Sequence, residues 1–312
     1  APARFASHTP DFSVAKESFR FAQDGKEQAF WCIKDGGRYV AVIHEGQSQL
    51  DMITFDPTKT VEKPAFQSYY SWGTLLGTRI LVSGWIGEWR PTGKLVLDFS
   101  TTGETLLLKT EQSWPDRKGS CRYTMLLRLD PVAGYVWDIH TEYDTDRPGT
   151  RKVKRDGKEV EEFDRPQFFN WQVRVTGWTK RHNNPRWPAA WTHERTLFQR
   201  TDGKFVGFYN NPDAVDRSRF KRSEVMEGGF VAMGPDAEGW GVALSHLKKN
   251  GFSTPNATCN MWADSHNLLK FKDTPDADGL YRVVADWRFQ AVPPEVLATV
   301  MEQTEMDNMG RP

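Results

Sequence analysis

Short runs rich in Val, Ile, Phe, Tyr, Trp and Thr follow one another along the chain, and glycine-containing turns separate them. Turn pairs such as Asp156-Gly157 and Asp202-Gly203 supply the positive φ that a tight hairpin needs. The strand-like runs are EQAFWCIKDGGRYVAVIHEG (27–46), RILVSGWIGEW (79–89), KLVLDFS (94–100), FFNWQVRVTGW (168–178), KFVGFYNN (204–211) and YRVVADWRFQAV (281–292). This pattern predicts an all-β protein, an antiparallel β-sandwich of the supersandwich or jelly-roll kind.

One helix is predicted, near the C-terminal end. Pro293-Pro294-Glu295 begins it, because proline is tolerated in the first turn and an acidic residue there complements the helix dipole. Its apolar residues recur at helical spacing on one face, at Val296, Leu297, Val300 and Met301. We expect this short helix to pack on the outside of the sandwich.

The chain of 312 residues is long enough for one large β domain, and we assign residues 1–312 to a single sandwich. No internal repeat or low-complexity tract divides it. The strongly charged segment 144–166 is the one candidate for a domain boundary. A solvated hairpin explains that segment better, because it has a strand pattern with Asp156-Gly157 at its centre.

Several predicted strands carry an unusual set of polar residues on one face. Side chains alternate between the two faces of a strand, so every second residue shares a face. The polar faces of three runs are Asp138, His140 and Glu142, then Asn170, Gln172 and Arg174, then Trp191, His193 and Arg195. A solvated face usually favours Lys, Glu and Thr, whereas planar rings, amides and guanidinium groups bind sugars. These faces therefore predict one common carbohydrate-binding groove.

The segment RHNNPRWPAAWTHERTLFQR (181–200) adds Trp187 and Arg181 to the predicted substrate-binding residues. It is rich in aromatic and cationic side chains and has almost no aliphatic ones. On the 191–199 face, Trp191 is placed to stack on a sugar, His193 to act as base and Arg195 to hold a carboxylate. Alternate residues span roughly 7 Å of a strand, about the scale of one sugar unit.

Composition narrows the classes of partner. Lys plus Arg and Asp plus Glu both total 41, so the chain lacks the basic excess of a general nucleic-acid binder. Its apolar runs are too short to cross a bilayer, so no membrane partner is expected. The start at APARF without Met is typical of a mature exported chain or of a trimmed one, and we expect a secreted or periplasmic protein.

No cofactor and no metal site are predicted. The three cysteines lack metal-ligand spacing, and they allow one disulfide or none. The segment DTPDADG (273–279) has part of a calcium-loop pattern but lacks the downstream glutamate, which leaves a structural calcium ion as an alternative.

The chain resembles the large β-sandwich carbohydrate-active enzymes of the galactose-mutarotase-like and polysaccharide-lyase type. The resemblance rests on the succession of hairpins, the face of WTHERTLF (191–198) and the strand DPVAGYVWDIH (130–140). It implies a carbohydrate-active sandwich enzyme, and it assigns no individual catalytic residue.

The favoured function is a polysaccharide lyase that acts on a uronic-acid-containing glycan by β-elimination. Such an enzyme needs a group that neutralises the carboxylate, a base and an acid. His193 or His140 is the candidate base, Tyr209 or Tyr143 the candidate acid, and Arg174 or Arg195 with Asn170 and Gln172 the candidate carboxylate site.

Two other functions stay open. A glycoside hydrolase would need a pair of carboxylates at a fixed separation, for which Asp138, Glu142, Glu194 and Asp264 are eligible. A non-catalytic carbohydrate-binding protein would need only the aromatic face. An epimerase that uses His and Glu is a variant of the enzymatic alternatives.

Overall fold

A computed structural model of the protein describes the greater part of the chain. The described residues are 3–21, 25–45, 50–55, 57–58, 64, 80–86, 93–115, 117–146, 150–163, 168–174, 195–199, 203–209, 222–224, 230–235, 239–249, 256–259, 264–270 and 274–307.

These residues form twenty-one strands and one helix. In the first half the strands are β1 (Phe12–Arg20), β2 (Glu27–Asp35), β3 (Arg38–His44), β4 (Asp51–Phe55), β5 (Ile80–Ile86), β6 (Val96–Thr101), β7 (Leu106–Ser113), β8 (Ser120–Asp130), β9 (Gly134–Thr145), β10 (Thr150–Arg155) and β11 (Lys158–Phe163). In the second half they are β12 (Phe168–Arg174), β13 (Arg195–Gln199), β14 (Phe205–Tyr209), β15 (Arg222–Glu224), β16 (Phe230–Gly234), β17 (Gly241–Lys249), β18 (Asn256–Cys259), β19 (Asp264–Lys270), β20 (Tyr281–Val292), helix α1 (Pro294–Glu302) and β21 (Thr304–Asp307).

The strands assemble into two large sheets and one small one. The nine-stranded sheet has the order β1-β2-β3-β4-β5-β12-β19-β18-β15, and the ten-stranded sheet has the order β21-β14-β13-β16-β17-β20-β9-β8-β7-β6. Among the described strands every pairing is antiparallel except that of β14 with β21. The prediction of an all-β, mostly antiparallel sandwich with a short C-terminal helix is confirmed.

The charged segment in the middle of the chain forms the third sheet, a hairpin of β10 and β11. Its turn is Asp156-Gly157, with φ angles of 51° and 78°. Positive φ at both central residues is the geometry of the turn that matches strand twist in a two-residue hairpin. The prediction of a hairpin in this segment is confirmed, and the residues from Lys154 to Val160 are exposed.

One hydrophobic core joins the two large sheets. Ile33 and Ile43 of the nine-stranded sheet belong to the same buried cluster as Met125, Trp137 and Trp287 of the ten-stranded sheet. The predicted core side of β9 lies in this cluster, because its odd-numbered positions from Tyr135 to Ile139 and Tyr143 face the other sheet. The even-numbered polar positions of β9 therefore lie on the outer face.

Both large sheets also bury apolar residues on their outer faces. On the nine-stranded sheet, Cys32 and Val42 alternate with core residues and pack into a second aromatic cluster. On the ten-stranded sheet, Leu297 of α1 packs on Leu197 and Ala243. The predicted position of the helix is confirmed, with one correction: Val296 is 37% exposed, so the packing face is formed by Leu297, Val300 and Met301.

The N-terminal segment, residues 4–12, crosses one end of the sandwich and contacts elements of both sheets. Arg4 forms a two-pronged salt bridge with Glu295 of α1, at 2.7 and 3.0 Å. His8 Nε2 lies 2.6 Å from Oδ2 of Asp35, whose carboxylate also accepts hydrogen bonds from the Asp11 amide and the Tyr135 hydroxyl. This segment thus links the β2–β3 hairpin to the ten-stranded sheet.

A buried hydroxyl on the inner face of β9 provides a test of the core. Thr141 is fully buried, and its Oγ1 forms no hydrogen bond within the part of the chain that the structure describes. Thr141→Val keeps the shape and removes a polar group buried without compensation, so we expect the free energy of unfolding to rise by about 1 kcal/mol. Urea denaturation measures this change.

The matched control is Thr124→Val on the neighbouring strand β8, because Thr124 is exposed on the outer face. Its stability should change by less than about 0.5 kcal/mol. A loss of stability in Thr141→Val would show that the hydroxyl is hydrogen-bonded in the folded protein.

Candidate functional site

A connected group of ionisable side chains lies on the outer face of β8, β9 and β20, near the middle of the ten-stranded sheet. Residues on this face alternate with core residues such as Trp137 and Trp287. We call it the charged face, and its members are Arg122, Arg128, Asp138, His140, Glu142, Asp286 and Arg288.

His140 lies between two carboxylates. It is directly paired with Asp286 across the β9–β20 ladder, and its Nδ1 is 2.6 Å from Asp286 Oδ1. Its Nε2 is 3.3 Å from Oε1 of Glu142, two residues along the same strand. Partial burial lowers the pKa of His140, but the hydrogen bonds to Asp286 and Glu142 outweigh that effect and raise the pKa overall. The two carboxylates therefore favour the protonated form of the imidazole.

Arg122 extends this arrangement on the other side of Glu142. Its Nε and Nη2 donate to Oε2 of Glu142 at 3.1 and 3.0 Å, and Nη2 also donates to Asp144 Oδ2 at 2.7 Å. Partial burial raises the pKa of Glu142, but the hydrogen bonds from Arg122 and His140 lower it by more, so the pKa of Glu142 is lowered overall. Glu142 is therefore an ionised acceptor with partners on both oxygens.

A second group of ion-paired side chains is centred on Asp138, two residues before His140 on β9. Asp138 accepts a hydrogen bond from Nε of Arg128 at 2.9 Å on one oxygen and from Nε of Arg288 at 2.7 Å on the other. We call Arg128 and Arg288 the arginine pair. Burial raises the pKa of Asp138, but these hydrogen bonds outweigh burial and lower the pKa overall. Asp138 therefore carries a negative charge that fixes both guanidinium groups.

The structure places the predicted site residues in both large sheets. The predicted outer position of Asp138, His140 and Glu142 on β9 is confirmed. Asn170, Gln172 and Arg174 lie on β12, in the nine-stranded sheet. The predicted groove therefore does not run along one sheet, because alternation along a strand assigns a face and cannot assign a sheet.

Arg195 and Tyr209 are brought together, since they pair directly across the β13–β14 ladder. Strands β13 and β14 are four and five places from β9 in the sheet order, which puts the backbones of Arg195 and Tyr209 roughly 19 and 24 Å from that of His140. His193, Trp191, Trp187 and Arg181 lie outside the described residues. Their assignments stay predictions.

Two other candidates from the sequence have different roles. Tyr143 is 2% exposed within the core, and burial raises its pKa well above the ordinary value, so it cannot serve as an acid on the outer face. In the candidate calcium loop, Asp276 and Asp278 are both ion-paired with Arg282. A calcium ion there would have to displace the guanidinium group.

The described residues can also be assessed for metal-binding clusters, membrane-spanning helices and disulfides. Within the described ranges, no group of three or more His, Cys, Asp or Glu is arranged to hold a metal ion. No helix there has the length and apolar character needed to span a membrane. Cys32 and Cys121 are free thiols, and burial raises the pKa of each to about 12.

Four members of the charged face were missed from the sequence: Arg122, Arg128, Asp286 and Arg288. A signal was present, because β8 and β20 alternate arginine or aspartate with core residues as β9 does. What the sequence lacked was the strand order, which makes β8 and β20 the two neighbours of β9.

No known protein family matches the chain, and no curated protein sequence matches it. Among solved structures, the Slr1438 protein from Synechocystis sp. PCC 6803 aligns over 91% of this chain and 98% of its own, with a TM-score of 0.37 and 11% sequence identity. A similarity at this level carries no argument about function.

Proposed function

We propose that the protein is a carbohydrate-active enzyme, a polysaccharide lyase that cleaves a uronic-acid-containing glycan at the charged face. One observation carries the proposal: a histidine held between two carboxylates lies two residues along β9 from a carboxylate that holds two arginines. Two residues of a strand span roughly 7 Å, about the scale of one sugar unit. The carboxylate of a bound uronate can therefore contact the two arginines while the leaving oxygen of the same sugar contacts His140.

The reaction needs no oxidant and no cofactor. A base removes the proton on C5 of the uronate, the electron pair forms the C4–C5 double bond, and the C4–O bond breaks. The leaving oxygen takes a proton from an acid. Neutralising the carboxylate beside C5 stabilises the carbanion-like transition state, which is where fixed cationic groups contribute most.

His140 fits the role of acid better than that of base. Its pKa is raised, so it carries a proton to give, whereas a base must be neutral. The contact of Nε2 with Glu142 is the longer of its two, so a substrate oxygen replaces that contact most easily. The base remains the residue predicted from the sequence, His193, which lies outside the described residues.

The same face gives less support to a glycoside hydrolase. An inverting hydrolase needs two carboxylates about 6.5 to 9.5 Å apart with a sugar and a water between them. The imidazole of His140 occupies the space between Asp286 and Glu142, and Asp138 lies between two guanidinium groups. A non-catalytic sugar-binding protein would use the face without the elimination.

A substrate panel tests the proposal and separates these functions. We expect the full chain to generate ultraviolet-absorbing unsaturated ends from a polymer that contains uronate, and none from neutral glucans or galactans. Reducing ends without the absorbance would identify a hydrolase. Binding of the polymer without any cleavage would identify a binding protein.

A further inference from the structure

We infer that the arginine pair, Arg128 and Arg288, is the subsite that binds the free carboxylate of a uronate residue. The inference rests on the proposed function for the identity of the glycan. It assigns the binding of the uronate carboxylate to arginines on β8 and β20, whereas the sequence analysis favoured arginines on β12 and β13.

The first argument is that the terminal amines of both guanidinium groups form no hydrogen bond with the described residues. Both arginines bond Asp138 through Nε, and Arg288 forms no other hydrogen bond with the residues that the structure describes. Arg128 is similar, since its Nη1 lies 3.8 Å from Asp130 Oδ2, too far for a hydrogen bond. The terminal amines of both side chains are thus available to a ligand.

The second argument is that the two groups are fixed in place without being buried. Asp138 anchors each guanidinium by its inner nitrogen, which limits the rotation of two otherwise flexible side chains. The side chains of Arg128 and Arg288 remain 31% and 36% exposed, so a ligand can reach them. Because less side-chain freedom is lost on binding, a preorganised donor pair binds more tightly than a mobile one.

The third argument is hydrogen-bonding geometry. Asp138 is hydrogen-bonded to both guanidinium groups and Asp130 lies 3.8 Å from Arg128 Nη1, so a ligand carboxylate would be held by directional hydrogen bonds from the terminal amines and not by an excess of positive charge. The planar fork of arginine matches the two oxygens of a carboxylate, and lysine cannot reproduce that geometry. A uronate whose carboxyl group is a methyl ester has no charge to offer and should bind poorly.

The experiment titrates the full-length protein with glucuronate, its methyl ester and glucose, using calorimetry or ligand-observed NMR. We expect glucuronate to bind at least about tenfold more tightly than either neutral sugar, since one charge-assisted hydrogen-bond pair has that effect. Arg288→Lys and Arg128→Lys should each weaken glucuronate binding about tenfold and leave the binding of the methyl ester unchanged.

The matched control is Arg282→Lys. Arg282 lies on the same strand, β20, but its terminal amines are already bonded to Asp276 and Asp278. Its substitution should not change glucuronate binding. Circular dichroism and thermal unfolding of all three variants establish that each is folded.

The outcomes separate this inference from the proposed function. If a uronate polymer is cleaved and both lysine variants bind glucuronate as the wild type does, the inference is wrong and the function stands. If glucuronate binds, the lysine variants lose it and no polymer is cleaved, the inference stands and the lyase proposal fails. Equal binding of glucuronate and its ester, or displacement of glucuronate by inorganic sulfate at the same concentration, overturns the assignment to a carboxylate.

Discussion

His140→Gln is expected to lower the rate of elimination by about two to four orders of magnitude, the usual effect of removing a general acid or base. Glutamine keeps a similar length and can still bond Asp286, so the fold should be retained. The measurement is the initial rate of ultraviolet-absorbing product at saturating polymer, compared with the thermal unfolding temperature of the same variant.

The pH profile gives the same prediction a second readout. As an acid, His140 acts only when protonated, so the rate should be high below its raised pKa and should fall as pH rises through it. This descending limb should vanish in His140→Gln. A variant that retains both full activity and the limb would show that His140 has only a structural role.

Gly119→Ala is expected to have the largest effect on stability, a loss of about 2–4 kcal/mol in the free energy of unfolding. Gly119 has a φ of 114°, which side chains rarely adopt. In addition, a Cβ atom there would overlap the backbone carbonyl of Asp144, at the end of β9. Neither the turn nor the strand can move without disturbing the β8–β9 ladder, and urea denaturation measures the cost.

Gly36→Ala is the control for this prediction. Gly36 also has a positive φ, of 59°, but apart from its two neighbours in the chain no described residue has an atom within 4 Å of the place where its Cβ would be. Only the backbone strain remains, about 1–2 kcal/mol. Equal losses in the two variants would mean that the contact with Asp144 contributes nothing.

The sequence was sufficient for the fold class because alternation and turn chemistry are local. The β20 prediction, 281–292, matches the strand from end to end, and the hairpin around Asp156-Gly157 has the predicted turn. The outer position of His140 also followed from alternation alone. These features depend on a few residues that are neighbours in the sequence, so the sequence alone predicts them.

The candidate site was harder to predict from the sequence because it depends on the order of strands in the sheet. Strand β9 is bonded to β8, its neighbour in sequence, and to β20, which lies more than a hundred residues further along the chain. Nothing local to His140 indicates that Asp286 is its partner. For the same reason the sequence could group Arg174 with His140, although their strands belong to different sheets.

The parallel pairing of β21 with β14 has a consequence for association between molecules. Strand β21 follows α1 and pairs with β14, so among the described strands it forms that edge of the ten-stranded sheet. An exposed strand edge is a template on which another chain can add, and proteins commonly cover such edges. A chain that ended before Thr304 would leave the backbone groups of Phe205–Phe208 without β21 as a partner, whereas the edge that β21 presents is only four residues long, and a short edge strand is a poorer template for a second molecule.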